Sequence, residues 1–449
     1  MTEQPRFYLI SLGCAKNLVD SEGIALLLTQ AGYRQAEAPE AADVLLVNTC
    51  GFIQPARDES QEVLKDLIAH RHAGQKIVAA GCYSQYRPDE LAAAIPGIDG
   101  LIGTRRWIDV VTLLEEMEHA PGNKKGPICH PSDVPLARED TIGYPRLAVQ
   151  GASAYLKLAD GCRRTCAFCA IPLIKGSIVS RPLEEILADA QLAVESGVRE
   201  LILIAQDTTD YGYDLGPAYN LARVLEELVR AVPQATWLRV MYAYPGRRQI
   251  TDELIETMAR HPQILPYLDL PLQHAHPNVL RRMRRPSNVE EMQRTIAHLQ
   301  AAMPQIAIRT TFIVGFPGET EQEFQALLNF VEDTAFDRVG VFTYSHEEGT
   351  PAAVLPDDVA PEVKEERRRR LMVLQQPISL AKNQALLGQT LDVLIEGVGE
   401  DISVGRSYRD APEVDGMVLV QAESPVGEIV PVRISDALEY DLIGDPVET

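Results

Sequence analysis

The sequence contains no uninterrupted run of about 18 apolar residues, the length that a membrane-spanning helix needs. It begins without a basic segment followed by a long apolar stretch, so we expect no secretory signal peptide. It also shows no solenoid-type repeat and no low-complexity tract. With 46% hydrophobic and 24% charged residues, we expect a globular cytoplasmic protein with no membrane partner.

The sequence has fewer basic than acidic residues, with 42 Lys and Arg against 64 Asp and Glu, which gives a formal net charge of −22. Such a protein repels nucleic-acid phosphates at long range and attracts basic partners. Two arginine-rich stretches run against this trend. RRMRR at 281–285 is a candidate contact for RNA, whereas RRRR at 367–370 is expected on a solvated helix face paired with Glu365 and Glu366.

Apolar, strand-like runs alternate with amphipathic helical stretches, and the predicted fold class is α/β. Residues 5–120 predict a parallel sheet domain, and six strand–helix units within 145–378 predict a partial or full (β/α) barrel. Between them, 120–145 is rich in Pro, Gly and charge and is expected to be a linker. After a long helix at 361–387, short strands with turns in 381–448 predict a small antiparallel β-barrel.

The number of cysteines is odd, and seven cysteines in 449 residues argue against a disulfide framework. Cys162, Cys166 and Cys169 form the spacing CxxxCxxC, and soft thiolates so close together favour an iron–sulfur cluster. Three thiolates leave one iron of a four-iron cluster open to a substrate or cofactor. The alternative is a zinc site or chance clustering, but zinc usually needs a fourth ligand pair that is not visible nearby.

Cys14, Cys50 and Cys82 form a second candidate triad, because each ends an apolar strand. Ligands gather at the carboxyl ends of the strands in a parallel sheet, so we expect these distant cysteines to converge on a second cluster. The alternative is three unrelated buried cysteines. Cys129 lies beside His130 in the predicted linker, lacks partners at ligand spacing and is expected to be a free thiol.

The CxxxCxxC motif and the strand–helix units around it resemble the radical S-adenosylmethionine (SAM) superfamily over roughly 150–375. The resemblance implies that the open iron binds the amino and carboxylate groups of SAM, and that cleavage of SAM yields a 5′-deoxyadenosyl radical. TTFIVGFPGET at 310–320 is similar to the glycine-containing strand of that cofactor site. Gly315 and Gly318 are therefore expected at the cofactor, although an ordinary strand-end turn would also explain these glycines. Gln206 is expected there as well.

Over nearly its whole length the chain resembles the methylthiotransferase family. The shared motifs are LGCAKNLVDSE, VNTCGF, GCYSQ and ADGCRRTCAFCAIPLIKGSIVSRP. The resemblance implies an N-terminal cluster domain, a radical SAM core and a terminal barrel called a TRAM domain. It also implies two 4Fe–4S clusters, one SAM that methylates a sulfur on the N-terminal cluster, and another that supplies the radical.

The family modifies either tRNA or the β-carbon of an aspartate in ribosomal protein S-twelve. Three stretches are similar to the protein-modifying branch: AQDTTDYG (205–212), VMYAYP (240–245) and FTYSHEEGTPAA (342–353). Residues 381–449 hold four Lys and Arg against fourteen Asp and Glu, whereas a barrel that grips tRNA should be basic. We therefore expect the ribosomal protein as substrate and no direct binding of tRNA, although a generally acidic proteome would give the same charge.

Radical attack on an unactivated C–H bond needs no general base, so none is predicted. Asp207, Gln206 and Tyr244 are expected to line the substrate pocket. The resemblance also implies a reducing partner such as flavodoxin or ferredoxin. Two alternatives stay open: a tRNA methylthiotransferase of the same family, and a non-catalytic iron–sulfur electron carrier that binds no SAM.

Overall fold

The computed structural model describes residues 4–119, 126–134, 143–234 and 237–447. Two α/β units and a small closed barrel follow one another along these residues. None of the helices described is both long and apolar enough to cross a bilayer. Most of the predicted linker, and the outer limits predicted at 120 and 448, lie outside the described residues.

The N-terminal unit is a six-stranded sheet in which every neighbouring pair is parallel. Its strands are β1 (Arg6–Ser11), β2 (Arg34–Gln35), β3 (Val44–Thr49), β4 (Lys76–Ala80), β5 (Gly100–Gly103) and β6 (Ile128–His130), in the spatial order β2-β1-β3-β4-β5-β6. Its helices are α1 (Ala15–Gln30), α2 (Gln54–His70), α3 (Gly81–Tyr86), α4 (Pro88–Ala94) and α5 (Val110–His119).

Both faces of this sheet are covered, which explains why its strands are apolar at consecutive positions. On β3, Leu45 and Val47 pack in one hydrophobic cluster, while Val44 and Leu46 pack in another on the opposite face. The alternation follows from the two-residue period of a strand. Because helices screen both faces, the free ends of the strands are where chemistry can be placed.

Residues 128–130, predicted as linker, instead form the edge strand β6. Leu101 of β5 pairs with Cys129 in parallel register, so the cysteine belongs to the sheet. A three-residue strand has too few positions to reveal a period, which is why its sequence is indistinguishable from a loop.

The central unit is a seven-stranded sheet with six parallel strands in chain order and one antiparallel edge strand. Its strands are β7 (Leu147–Gln150), β8 (Ser153–Lys157), β11 (Glu200–Ile204), β12 (Trp237–Val240), β13 (Ile264–Asp269), β14 (Ala307–Val314) and β15 (Arg338–Thr343), and β9 (Ala159–Asp160) pairs separately with β10 (Val179–Ser180). Its helices are α6 (Ile171–Lys175), α7 (Leu183–Glu195), α8 (Leu221–Ala231), α9 (Asp252–Arg260), α10 (Pro277–Arg282), α11 (Val289–Ala302), α12 (Glu321–Thr334) and α13 (Pro361–Gln384). The sheet has two free edges, as a partial (β/α) barrel does.

One face of the central sheet packs on its own helices, and the other face is filled by the neighbouring units. Ala15 and Val19 of α1 and Leu394 and Ala411 of the terminal barrel share one hydrophobic cluster with this inner face. The inside of the partial barrel is therefore closed by α1, which brings the segment after Cys14 into the centre of the molecule.

The C-terminal unit is a closed five-stranded barrel. Its strands are β16 (Thr390–Gly399), β17 (Ile402–Ser407), β18 (Val418–Val420), β19 (Ile429–Ala437) and β20 (Leu442–Pro446). Four of its five pairings are antiparallel, and β18 with β20 is parallel. The alternating residues Val393, Ile395, Val432 and Ile434 fill its core.

Buried ion pairs attach this barrel to the central sheet. Glu200 accepts from Arg239 and from Arg406 of the barrel, each at 2.6 Å, and all three side chains are almost fully buried. Burial alone would raise the pKa of Glu200, but the two guanidinium groups lower it to about 2. Arg409 binds Asp337 in the same way at 2.8 Å. The barrel is thus attached to the central sheet by ion pairs between buried side chains.

We expect Glu200→Ala to lower the free energy of unfolding by about 3–5 kcal/mol, because it leaves the buried Arg239 guanidinium without a carboxylate and leaves Arg406 with Glu396 alone, at 2.6 Å. Urea denaturation at pH 7 measures this. Glu428→Ala, which removes an exposed pair with Arg199 at 3.5 Å, is the control and should cost at most about 1 kcal/mol. The contribution of Glu200 should persist above about pH 4.5 and decline as the pH falls toward 2. Equal losses from both variants would contradict this account.

Candidate active site

Cys162, Cys166 and Cys169 lie on the loop between β9 and α6. Gly161 makes this loop possible, since its φ is +71° and a Cβ there would come within 2.0 Å of the Ser177 carbonyl oxygen. Several backbone bonds hold the loop: Cys169 N–H donates to the Cys166 carbonyl at 3.2 Å, Cys162 N–H to that of Gly176 at 3.0 Å, and Ala167 N–H to that of Met283 at 2.8 Å. The motif therefore has one fixed conformation.

All three cysteines line one open cavity at the carboxyl ends of the central strands. Gln206 and Asp207, which follow β11, and Tyr244, which follows β12, line it too. The structure thus brings the predicted pocket residues to the predicted radical cluster. This is the end of a (β/α) unit at which active sites form.

The cavity also contains residues that the sequence did not single out. The N-terminal unit contributes Lys16 and Phe52, and the central unit contributes Arg164, Tyr242 and Arg285 among others. Arg164 lies within the cysteine motif, so its position between Cys162 and Cys166 was an available signal. Lys16 and Phe52 each lie two residues beyond a predicted cysteine ligand, and that spacing was a signal as well.

The arginine-rich stretches are largely used inside the chain. Arg285, predicted as part of an RNA contact, donates to Cys166 Sγ at 3.7 Å and stacks on the Tyr244 ring. Arg282 binds Glu323 at 2.9 Å. In the second stretch Arg367 is buried against Glu319 at 3.1 Å, which corrects the expectation that the whole run is solvated.

The second triad forms at the predicted edge of the N-terminal sheet. Strands β1, β3 and β4 are neighbours, with Ser11 opposite Asn48 and Asn48 opposite Ala80, so they end side by side. Cys14 caps α1, and Cys50 directly follows β3. Neither Cys14 nor Cys82 ends a strand as predicted, because β1 stops at Ser11 and β4 stops at Ala80, and Cys82 lies in the first turn of α3.

Asn17 ties the three cysteine segments together. Its side-chain amide donates to the Leu12 and Thr49 carbonyl oxygens at 3.0 and 3.1 Å, and its Oδ1 accepts from Cys82 Sγ at 3.4 Å. These contacts are buried or partly buried. The asparagine in the LGCAKN motif therefore holds the loops after β1 and β3 against α3, and so fixes the spacing of the thiols.

The surroundings of the thiols bear on which group they could hold. Three thiolates could each bind one iron of a four-iron cluster. Burial raises the pKa of Cys82 to about 12, of Cys162 to about 11 and of Cys169 to about 12, and a bound metal would stabilise their thiolate forms.

The segments of the two triads contact each other at Cys82. Cys82 packs against Ala170 and Ile174, which follow Cys169, in one small hydrophobic cluster. A buried charge network reinforces this contact: Asp20 of α1 binds Lys157 at 2.5 Å, Lys175 at 2.9 Å and also Arg146. Although burial alone would raise the pKa of Asp20, these cations hold it below its usual value.

Gly315 and Gly318 do not line the cavity. Both have left-handed backbones, with φ of +70° and +73°, and their N–H groups donate to Glu319 and Asp358, each at 2.7 Å. A Cβ at Gly315 would come within 2.3 Å of the Lys364 side chain. These contacts favour the strand-end turn over a role at the cofactor, which stays a prediction.

Three families match successive parts of the chain. Residues 6–103 match the uncharacterized protein family UPF0004, residues 156–331 the radical SAM superfamily, and residues 387–447 the TRAM domain. Ribosomal protein uS12 methylthiotransferase RimO of Chloroflexus aurantiacus is 48% identical over 98% of this chain and 99% of its own. RimO of Synechocystis sp. is 46% identical over 100% of this chain and 99% of its own.

The chain belongs to the RimO family of methylthiotransferases. It is a radical SAM enzyme, and its superfamily uses SAM with a 4Fe–4S cluster. Family membership excludes the non-catalytic electron carrier. Among solved structures, the radical SAM methyltransferase TsrM from Kitasatospora setae matches with a TM-score of 0.59, over 84% of this chain and 89% of that one. At 12% identity this likeness shows the fold alone.

Gly81, immediately before Cys82, gives a steric test of the second triad. Its φ is +96°, and a Cβ would lie 2.2 Å from Asn48 Oδ1. We expect Gly81→Ala to destabilise the protein by about 1–3 kcal/mol more than Gly74→Ala in urea denaturation. Gly74 is the matched control, because its φ is +91° and its Cβ position is open. Equal effects would mean that the close packing around Cys82 is absent.

Proposed function

We propose that this protein is a methylthiotransferase that modifies the β-carbon of an aspartate in ribosomal protein uS12. The supporting observation is the single cavity, in which the CxxxCxxC triad meets Lys16 and Phe52 from the segments of Cys14 and Cys50. An enzyme that joins a carbon radical to a sulfur donor needs both centres to reach one substrate carbon. The full-length RimO relatives, whose name specifies uS12, support the choice of substrate.

We assign one 4Fe–4S cluster to Cys162, Cys166 and Cys169 and a second to Cys14, Cys50 and Cys82. When bound, the first supplies the electron that cleaves SAM and the second supplies the sulfur. A reductant of the flavodoxin or ferredoxin type would deliver that electron. The cysteines hold these groups, while the Asn17 amide and the loop bonds around Cys169 keep the thiols in place.

The other cavity residues position the substrate without acting as an acid or a base. Arg164 binds Asp207 at 2.9 Å and Asp210 at 2.8 Å, so the cavity carboxylate is held by a salt bridge. Tyr244 is flanked by Arg164 and Arg285, each 4.2 Å from its ring centroid. These stacked groups form a rigid wall beside the radical triad, which limits how far a reactive substrate can move.

The charge of the terminal barrel favours a basic protein over tRNA. Of its four Lys and Arg, Arg406 and Arg409 are buried in ion pairs with the central unit, and Lys382 lies 3.7 Å from Asp337. Among the described residues of 381–447, ten acidic side chains are exposed, whereas Arg433 is the one exposed basic residue. Phosphate groups would be repelled by this surface, and a lysine- and arginine-rich ribosomal protein would be attracted.

The direct experiment is anaerobic incubation of the reconstituted protein with SAM, a reductant and uS12, followed by mass spectrometry of uS12. We expect a gain of about 46 Da, the increment of replacing H by SCH3, on the target aspartate. Cys162→Ala should abolish both 5′-deoxyadenosine and product. Cys50→Ala should still form 5′-deoxyadenosine but yield no product, since it lacks only the sulfur site.

A parallel incubation with tRNA separates the family's two branches. The same gain on tRNA adenosine, with none on uS12, would contradict the proposed substrate. Full product yield from Cys50→Ala would contradict the two-cluster assignment. Cys129→Ala is the matched cysteine control, because Cys129 lies on the sheet edge outside both triads, and its yield should equal that of the wild type.

A further inference from the structure

Lys16 is a buried cation whose charge is not neutralised by a neighbouring carboxylate. Its side chain lines the cavity, yet the residue is only 6% exposed. Among the described residues, no carboxylate lies within ion-pair distance of its ammonium group, which sits 2.8 Å from the centroid of the Tyr242 ring. Cys14 has the largest favourable charge effect on it and Asp269 the next, and Asp269 is already bound to Arg309 at 2.9 Å. A buried cation in this state is costly unless an anion joins it.

Two residues that line the cavity have strained backbone conformations. Tyr242 has φ of +61° and Gln273 has φ of +75°, and both line the same cavity. Left-handed conformations at such residues are strained and concentrate at functional sites. The left-handed backbone of Tyr242 goes together with a ring that lies against the Lys16 ammonium group. The conformational strain at this residue therefore accompanies the presentation of that cation to the cavity.

The other cations of the cavity are already engaged on the side of the radical triad. Arg164 pairs with Asp207 and Asp210, while Arg285 donates to Cys166 Sγ and to the Pro271 carbonyl. Lys16 instead belongs to the segment of Cys14, two residues beyond that thiol. An anion bound to Lys16 would therefore lie in the cavity of the radical triad, against the segment that carries Cys14.

We propose that Lys16 binds the side-chain carboxylate of the target aspartate in uS12. This inference rests on the proposed function and names the group that selects its substrate. The carboxyl carbon is bonded to the β-carbon that reacts, so holding the carboxylate fixes the C–H bond between radical and sulfur donor. The exposed protein surface is acidic and attracts a basic protein. The cavity is cationic and accepts an acidic side chain of that protein.

The test is a cycle of enzyme and substrate variants, measured as kcat/KM for methylthiolation by the reconstituted holoenzyme. Lys16→Met removes the charge but keeps the length, Lys16→Arg keeps the charge, and exposed Lys65→Met is the control. Substrates are uS12 with the native target aspartate and uS12 with asparagine there. We expect Lys16→Met to lower kcat/KM for the aspartate substrate about 30-fold or more, while the asparagine substrate changes little.

Two further readouts separate this role from others. Formation of 5′-deoxyadenosine without uS12, and iron content with its electron paramagnetic resonance spectrum, should both be unchanged in Lys16→Met. Loss of SAM cleavage would assign Lys16 to the SAM carboxylate, and an altered spectrum would assign it to the cluster; either result overturns the proposal. An equal loss on both substrates would overturn it too. Absence of product with wild-type enzyme and native uS12 would instead refute the proposed function.

Discussion

The ion pairs of the Asp20 side chain determine how the segments of the two cysteine triads are arranged. It lies on α1, six residues after Cys14, and its buried carboxylate binds Lys157, Lys175 and Arg146 of the central unit. Lys157 ends the strand that leads to Cys162, and Lys175 ends the helix that follows Cys169. One carboxylate thus joins the segments of both triads. Because a buried charge is tolerated only when it is paired, the docking of the two units has one favourable geometry.

As cluster ligands the two triads stay predictions, but their sequence signals are local and chemical. The CxxxCxxC spacing needs no tertiary information. The expectation that Cys14, Cys50 and Cys82 lie near one another comes from apolar runs that stop at a glycine or a cysteine, although only Cys50 directly follows its strand. The six parallel central strands are predicted for the same reason, since each is long enough to show its pattern. The cavity residues Gln206, Asp207 and Tyr244 were predicted within or at the end of apolar runs, and in the structure they lie just beyond β11 and β12.

The features that the sequence misses depend on how the units dock or on elements too short to show a period. Helix α3 has six residues and β6 has three, so Cys82 and Cys129 were assigned to the wrong local structure. Lys16 reaches the cavity only because α1 fills the inside of the central sheet, a contact between distant segments. The residue count of the terminal barrel also understates its surface acidity, because burial of Arg406 and Arg409 is visible only in the fold.

The central claim is that two cysteine triads beside one cavity each hold a four-iron cluster. Iron analysis and Mössbauer spectroscopy of the anaerobically reconstituted protein test it most directly. The account predicts about eight irons per wild-type chain, and about four in each of the variants Cys50→Ala and Cys162→Ala, all in 4Fe–4S form. About four irons in the wild-type protein, or full iron content in Cys50→Ala, would contradict it.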